Sequence, residues 1–109
     1  MKNDSFLFLW DMISRIVRGC AKDLVVTVDE PGDLRVETKR GRPFVSVRIQ
    51  RDHVGVYLLA LYYHPDVLPK SLFERKSGKG TLRFRNKRDV SIEDLSNLIN
   101  KCLALIDLY

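Results

Sequence analysis

Apolar residues recur along this chain with two different periods. Near the amino terminus Phe6, Leu9, Ile13, Ile16, Val17 and Cys20 follow one another at spacings of three and four. Asp11, Ser14, Arg15 and Arg18 fall mainly on the opposite side. This spacing predicts an amphipathic helix with one face in the core, capped by Asp4 or Ser5 and extended on its apolar side by Trp10. From Leu24 the period changes to two. The run LVVTVD over 24–29 is β-branched and predicts a strand, in which Leu24, Val26 and Val28 or the alternate set suits a core face equally well. Glu30, Pro31, Gly32 and Asp33 then supply a preset φ followed by a residue free to take positive φ, the chemistry of a hairpin turn. In the returning strand Leu34, Val36 and Thr38 alternate with Arg35, Glu37 and Lys39.

The densest β pattern is PFVSVRIQRDHVGVYLLALYYHP over 43–65. A two-residue loop at Arg51 and Asp52 sets Gln50 opposite His53, Ile49 opposite Val54, Val47 opposite Val56 and Val45 opposite Leu58. In that register the β-branched residues of the first strand share a face with Val54, Val56, Leu58, Ala60 and Tyr62. The second face carries Phe44, Ser46, Arg48, Gln50, His53, Gly55, Tyr57, Leu59, Leu61 and Tyr63. It is polar near the turn and apolar at the far end. A slip of one residue would mix the two sets.

Pro65, Pro69 and Gly78 limit any helix that follows, so 65–80 reads as an irregular connection with one or two helical turns. Thr81 to Asn86 alternates Leu82 and Phe84 against Arg83 and Arg85 and predicts a fifth strand. A closing helix is marked by Ser91 as cap, Asp94 at the capping-box position, and a stripe of Ile92, Leu95, Leu98, Ile99, Cys102, Leu103 and Ile106. Strands in succession between two terminal helices predict a single α+β domain over residues 1–109. Its roughly five-stranded antiparallel sheet has the N- and C-terminal helices packed on one face.

Composition adds bounds. The 109 residues, 45% hydrophobic and 30% charged, match a globular domain with one core. A net charge of +5 and a pI of about 9.4 suit an anionic partner without requiring one. Cys20 and Cys102 form no CxxC pair and read as small buried hydrophobes, in keeping with a reducing cytoplasm. The apolar run Phe6 to Trp10 is too short for a signal peptide and is flanked by Asp4 and Asp11. No stretch reaches the roughly twenty apolar residues of a membrane span.

The same residues argue against several chemistries. Gly78 and Lys79 do not make a phosphate loop, because that motif needs glycine where Phe73 stands and Ser or Thr where Gly80 stands. His53 and His64 bracket ten residues read as strand, about 30 Å when extended, too far apart to share an ion. No nucleophile stands beside a base in a recognisable motif, and Glu93 and Asp94 are explained by helix capping. The expectation is a protein that is not an enzyme, with no metal and no cofactor.

The positive signal is cationic. Lys70, Arg75, Lys76, Lys79, Arg83, Arg85, Lys87 and Arg88 fall in one short span with Glu74 among them. If the fifth strand adjoins the hairpin, Arg48, Tyr57, Arg83 and Arg85 converge on the second face. With Lys79 they form the candidate ligand-binding set, suited to phosphate or a stacked base. The competing explanation is a solvated face whose charges protect a sheet edge. The apolar end formed by Phe44, Leu59, Leu61 and Tyr63 is expected to be covered either by 65–76 or by a second subunit. Leu59, Leu61 and Tyr63 are thus a candidate homodimer surface.

Gly41, Pro43 and Phe44, then Pro65, then Gly78, Lys79, Leu82 and Phe84, and finally Leu108 and Tyr109 together resemble the YdhG-like family of domains of unknown function. That family includes bacterial frataxin-like iron chaperones, and the resemblance covers about the last two-thirds of the chain. It implies an antiparallel sheet in an α/β domain. The iron handling it also implies would need gathered carboxylates, and the first helix offers Asp4 and Asp11. The reading that follows is a small cytoplasmic binding or accessory domain with an unknown anionic ligand or protein partner on the open sheet face. Its alternatives are a frataxin-like iron chaperone and a nucleic-acid-binding module that uses the basic strand.

Overall fold

The structure is a computed structural model that describes residues 4–109. The side chains of Asp4 and Ser5, and with them the choice of cap for the first helix, lie outside the described residues.

The central hairpin forms in the expected register. Strands β3 (Pro43–Ile49) and β4 (Val54–Leu58) pair antiparallel with Val45 opposite Leu58, Val47 opposite Val56 and Ile49 opposite Val54. The amide of Gln50 donates to the carbonyl of His53 at 2.8 Å, which closes the loop. Around this pair the chain runs α1 (Asp4–Cys20), β1 (Val25–Glu30), β2 (Asp33–Glu37), β3, β4, α2 (Leu59–Tyr63), β5 (Lys76–Ser77), β6 (Thr81–Phe84) and α3 (Ile92–Ala104). A 3-10 turn at Pro65–Val67 and a longer 3-10 helix at Lys70–Arg75 make up most of the connection before β5. The result is a single-domain α+β fold with one open antiparallel sheet of six strands in the order β1-β2-β3-β4-β6-β5.

Helices α1 and α3 pack against each other, and α1 lies on β3 and β4. Leu9, Trp10, Ile13 and Val17 meet Leu34, Val36, Val45, Val47, Val56, Leu82 and Phe84 in a cluster completed by Leu95, Leu98, Ile99 and Cys102. Within it the Trp10 indole donates from Nε1 to the carbonyl of Val47 at 2.7 Å, a buried bond that fixes the helix to the middle of the sheet. At α3 the Ser91 hydroxyl accepts from the amide of Asp94, the expected cap. Between β1 and β2, Gly32 takes φ +86 directly after Pro31, so the expected turn is present. Among the described residues no helix is long and apolar enough to cross a membrane.

Several expectations are corrected. The sheet has six strands, because Lys76–Ser77 pairs with Thr81 and Leu82. Neither set of β1 side chains enters the core. Val25 and Val26 are exposed, and the register slips between Val26 and Val28, a bulge of the kind that edge strands carry. Ser14 is buried with its hydroxyl unpartnered, not on the wet side of α1, and Ile92 is exposed, not part of the α3 stripe.

The largest correction is at the far end of the hairpin, where the strand stops at Leu58 and 59–63 coil into α2. On one side β3 begins at Pro43, after a turn closed by the Thr38 amide on the Arg42 carbonyl. On the other side β6 begins at Thr81, opposite Tyr57. Beyond Leu58 the β6 side has ended, with the Gly80 carbonyl already taken by the Leu58 amide at 2.8 Å. The β3 side offers only Phe44 and then Pro43, which has no amide to donate; a helical turn satisfies its own amides, as His64 does on Ala60 at 2.8 Å. Consequently Leu61 is fully buried, Leu59 is half-buried, and Tyr62, expected in the core, is exposed. Phe44 is also fully buried, and α2 contacts β3. The apolar end is closed within the chain, and Leu59, Leu61 and Tyr63 do not form a bare dimer patch.

Replacing Trp10 by Phe keeps the ring in the core and removes the bond to Val47. We expect a loss of roughly 1 to 3 kcal/mol, from the missing hydrogen bond and the smaller ring, in urea unfolding followed by circular dichroism. An unchanged midpoint would mean that the bond contributes nothing net.

Candidate anion-binding site

The two-residue alternation of β3 and β4 sends Ser46, Arg48, Gly55 and Tyr57 to the face opposite α1 and α3, and β6 adds Thr81 and Arg83. Pairing aligns these residues in two cross-strand rows. One row runs Asp33, Arg48, Gly55, Arg83, and the next runs Arg35, Ser46, Tyr57, Thr81, Ser77. Arg48 and Arg83 therefore flank a glycine, about 10 Å apart at the backbone given the spacing of neighbouring strands. The missing side chain between them opens a shallow cleft of about 480 Å³, which Gln50, His53, Tyr57 and Thr81 complete.

His53 forms one wall. It is buried at the strand start, and its Nδ1 donates to Asp52 Oδ1 at 2.7 Å, since an ionised carboxylate only accepts. That bond leaves Nε2 as the imidazole nitrogen facing the cleft, 3.7 Å from where a methyl group on Gly55 would lie. It also holds the Asp52 carboxyl below the ordinary carboxylate range. Burial raises the phenol of Tyr57 above its usual range, helped by Tyr62 and Tyr63, so Tyr57 stays a neutral donor at physiological pH.

The charges are unevenly compensated. Asp33 accepts from both Nε and Nη2 of Arg35 at 3.1 Å, a two-point grip. Arg48 approaches the same carboxylate at 3.6 Å, and among the described residues Arg83 has no ion pair. One carboxylate thus serves two arginines while Arg83 has none among the described residues, and the cleft is left positive.

Of the residues expected to form the site, Arg48, Tyr57 and Arg83 are brought together. Arg85 and Lys79 do not line the cleft. Arg85 lies beyond its rim, 4.0 Å from Asp52, and Lys79 sits over the ring of Tyr62. Arg75, part of the same cationic span, is engaged by Asp89 at 3.0 Å. His53 and Gly55 were not among the expected site residues, although both stood on the expected face. The signal for them was the adjacency of Asp52 to His53 and a glycine inside a β-branched strand, which marks a close approach. The residues between His53 and His64, expected to be one strand, are β4 as far as Leu58 and then the helix α2. His64 has a buried Nε2 without a partner, and among the described residues no group of three or more His, Cys, Asp or Glu is placed to hold a metal ion.

Comparison with family models, with curated proteins and with solved structures gives no significant match for this chain.

Two glycines on this face make opposite predictions. A methyl on Gly55 meets only ordinary contacts, so Gly55→Ala should hold or slightly raise the melting temperature while narrowing the cleft. A methyl on Gly80 would lie 3.0 Å from the Leu58 carbonyl and 3.1 Å from the Tyr57 ring. Gly80→Ala should therefore destabilise by about 1 to 3 kcal/mol in the same denaturation assay. A second check concerns pH. Because the folded state lowers the Asp52 pKa, the stability this group supplies is present above the ordinary carboxylate range and is lost as pH falls through and below it. Asp52→Asn should lower the melting temperature at pH 7, and the difference should shrink progressively as the pH falls below the ordinary carboxylate range. A difference that persists in acid would exclude the His53 bond as its source.

Proposed function

We propose that this protein is a cytoplasmic binding domain, without catalysis of its own, that takes an anionic ligand on the open face of its sheet. The observation that carries this reading is the row in which Arg48 and Arg83 face each other across Gly55, with the imidazole of His53 beside the gap. Cross-strand rows built for stability pair opposite charges. This one pairs Asp33 with Arg48 at its edge and then sets Arg48 and Arg83 on either side of a position without a side chain, with hydroxyls from Ser46, Tyr57 and Thr81 in the next row. Guanidinium groups bind oxyanions such as phosphate or carboxylate through paired N–H donors, and the polar lining supplies the remaining hydrogen bonds. Kinship with the YdhG-like domains is a further part of this proposal, resting on the short Gly41, Pro43, Phe44 and Gly78, Lys79 motifs. Iron handling has no comparable observation behind it.

Inorganic pyrophosphate is a suitable probe, followed by calorimetry at low salt. The paired substitution Arg48→Ala with Arg83→Ala should raise Kd by at least about tenfold, the loss of charge-assisted hydrogen bonds. The control pair Arg15→Ala with Arg40→Ala removes the same net charge far from the cleft and should leave Kd within about twofold. Equal losses in both pairs would reduce the effect to net charge and sink the assignment.

A further inference from the structure

All four tyrosines of the chain gather on one side of the cleft, although they come from β4, α2 and the last residue. Tyr57 and Tyr62 meet over Gly80, where an added methyl would lie 3.1 Å from the Tyr57 ring and 3.3 Å from Tyr62 Cβ. The rings of Tyr62 and Tyr63 then stand edge to face with centroids 5.2 Å apart, and Tyr63 stacks on Tyr109 at 6.0 Å with 15° between planes. Cations accompany this track at intervals. Lys79 Nζ lies 5.4 Å from the centroid of Tyr62, and Arg42 Cζ lies 5.6 Å from that of Tyr109. Arg48 and Arg83 stand at the cleft end.

Two of these rings are open to solvent. Tyr62 is 43% and Tyr63 52% exposed, which leaves aromatic surface in reach of a ligand. Tyr109 is half-buried, and burial pushes its phenol up to about 12.

We propose that this tyrosine track, continuous with the arginine cleft, is a binding path for single-stranded nucleic acid, with bases stacking on Tyr62 and Tyr63 and phosphates held at Arg48 and Arg83. The inference rests on the anion-binding reading of the cleft and names its ligand. An acidic peptide would use the arginines but would find no use for the stacked rings, and a small phosphate compound would not reach from Gly55 to Tyr63. A single strand presents planar bases and a regular row of phosphates, and so matches alternating rings and cations along one path. A duplex hides its base faces and does not. Lys79 thereby rejoins the site as a cation beside Tyr62, outside the cleft itself.

The test is fluorescence anisotropy with labelled fifteen-nucleotide dT and U oligomers on the full chain, with a duplex of equal length, a polyglutamate peptide and pyrophosphate as comparison ligands. The single strands should bind more tightly than duplex or peptide. Tyr62→Ala and Tyr63→Ala should each weaken them about tenfold. Both variants should leave pyrophosphate binding unchanged. Because Tyr63 packs on Tyr109, Tyr63→Leu and Tyr63→Phe accompany the alanine variant: Phe should retain binding and Leu should lose it at equal bulk. Arg48→Ala with Arg83→Ala should reduce the slope of log K against log salt by roughly 1.4. Pyrophosphate binding without oligomer binding would overturn this inference and leave the anion site standing. Failure of both ligands would remove the anion site as well. Oligomer binding indifferent to Tyr62 and Tyr63, or matched by polyglutamate, would overturn the track in favour of charge alone.

Discussion

The cross-strand register of β3 and β4 is the constraint from which the rest of this molecule follows. Setting Val47 opposite Val56 and Val45 opposite Leu58 gathers Val45, Val47, Val54, Val56 and Leu58 on one face, where they are fully or almost fully buried. That face attracts α1, and the Trp10 bond to the Val47 carbonyl pins the helix at the middle of the hairpin. The same two-residue period sends Ser46, Arg48, Gly55 and Tyr57 outward together. A slip of one residue would place Arg48 in the core and Val47 in water, at a cost of several kcal/mol for the buried charge alone. Core and candidate site are thus two faces of one decision.

A second constraint, the supply of hydrogen-bond partners, decides where that sheet ends. Past Leu58, β6 has ended and β3 has only Phe44 and the amide-less Pro43 left to offer, so 59–63 satisfy their own amides as a helix. The change of period rotates alternate residues out of their strand positions. Leu61 turns inward, and Tyr62 and Tyr63 turn outward. A continuous strand would have buried Tyr62 and left Leu61 bare. The exposed rings beside the cleft are therefore a consequence of the strand stopping early.

These two constraints also explain what could be read from the sequence. The hairpin register, the Pro31-Gly32 turn, the burial of Leu82 and Phe84 and the convergence of Arg48, Tyr57 and Arg83 all follow from local alternation and loop length, which are written into adjacent residues. The end of β4 was not legible, because it depends on where β3 and β6 begin, and LALYY is compatible with either period. The β1 register was equally hidden. An edge strand with exposed Val25 and Val26 has no buried face to declare itself. Lys79 and Arg85 were grouped with Arg83 by sequence proximity, but each is drawn to a nearer partner, Tyr62 and Asp52 respectively. His53 reads as an ordinary strand-end histidine until its bond to Asp52 shows which nitrogen is left for the cleft.

The arginine pair across Gly55 raises the question of why a fold would keep it. At about 10 Å, the backbone separation of the pair, two positive charges repel by only about 0.4 kcal/mol in bulk water, and less once salt at physiological strength screens them. The fold therefore tolerates the pair without a carboxylate between them, and its persistence requires no structural compensation. An anion at half that separation stands about 5 Å from a guanidinium. There the attraction is about 1 to 3 kcal/mol per arginine for effective dielectric constants between 80 and 20. The asymmetry arises because the attraction acts over half the distance of the repulsion and is felt from both arginines. Asp33 sharpens it further. Gripping Arg35 at two points leaves that carboxylate little capacity for Arg48, so the charge of the cleft is directed toward Gly55 and Arg83 and not cancelled at the rim.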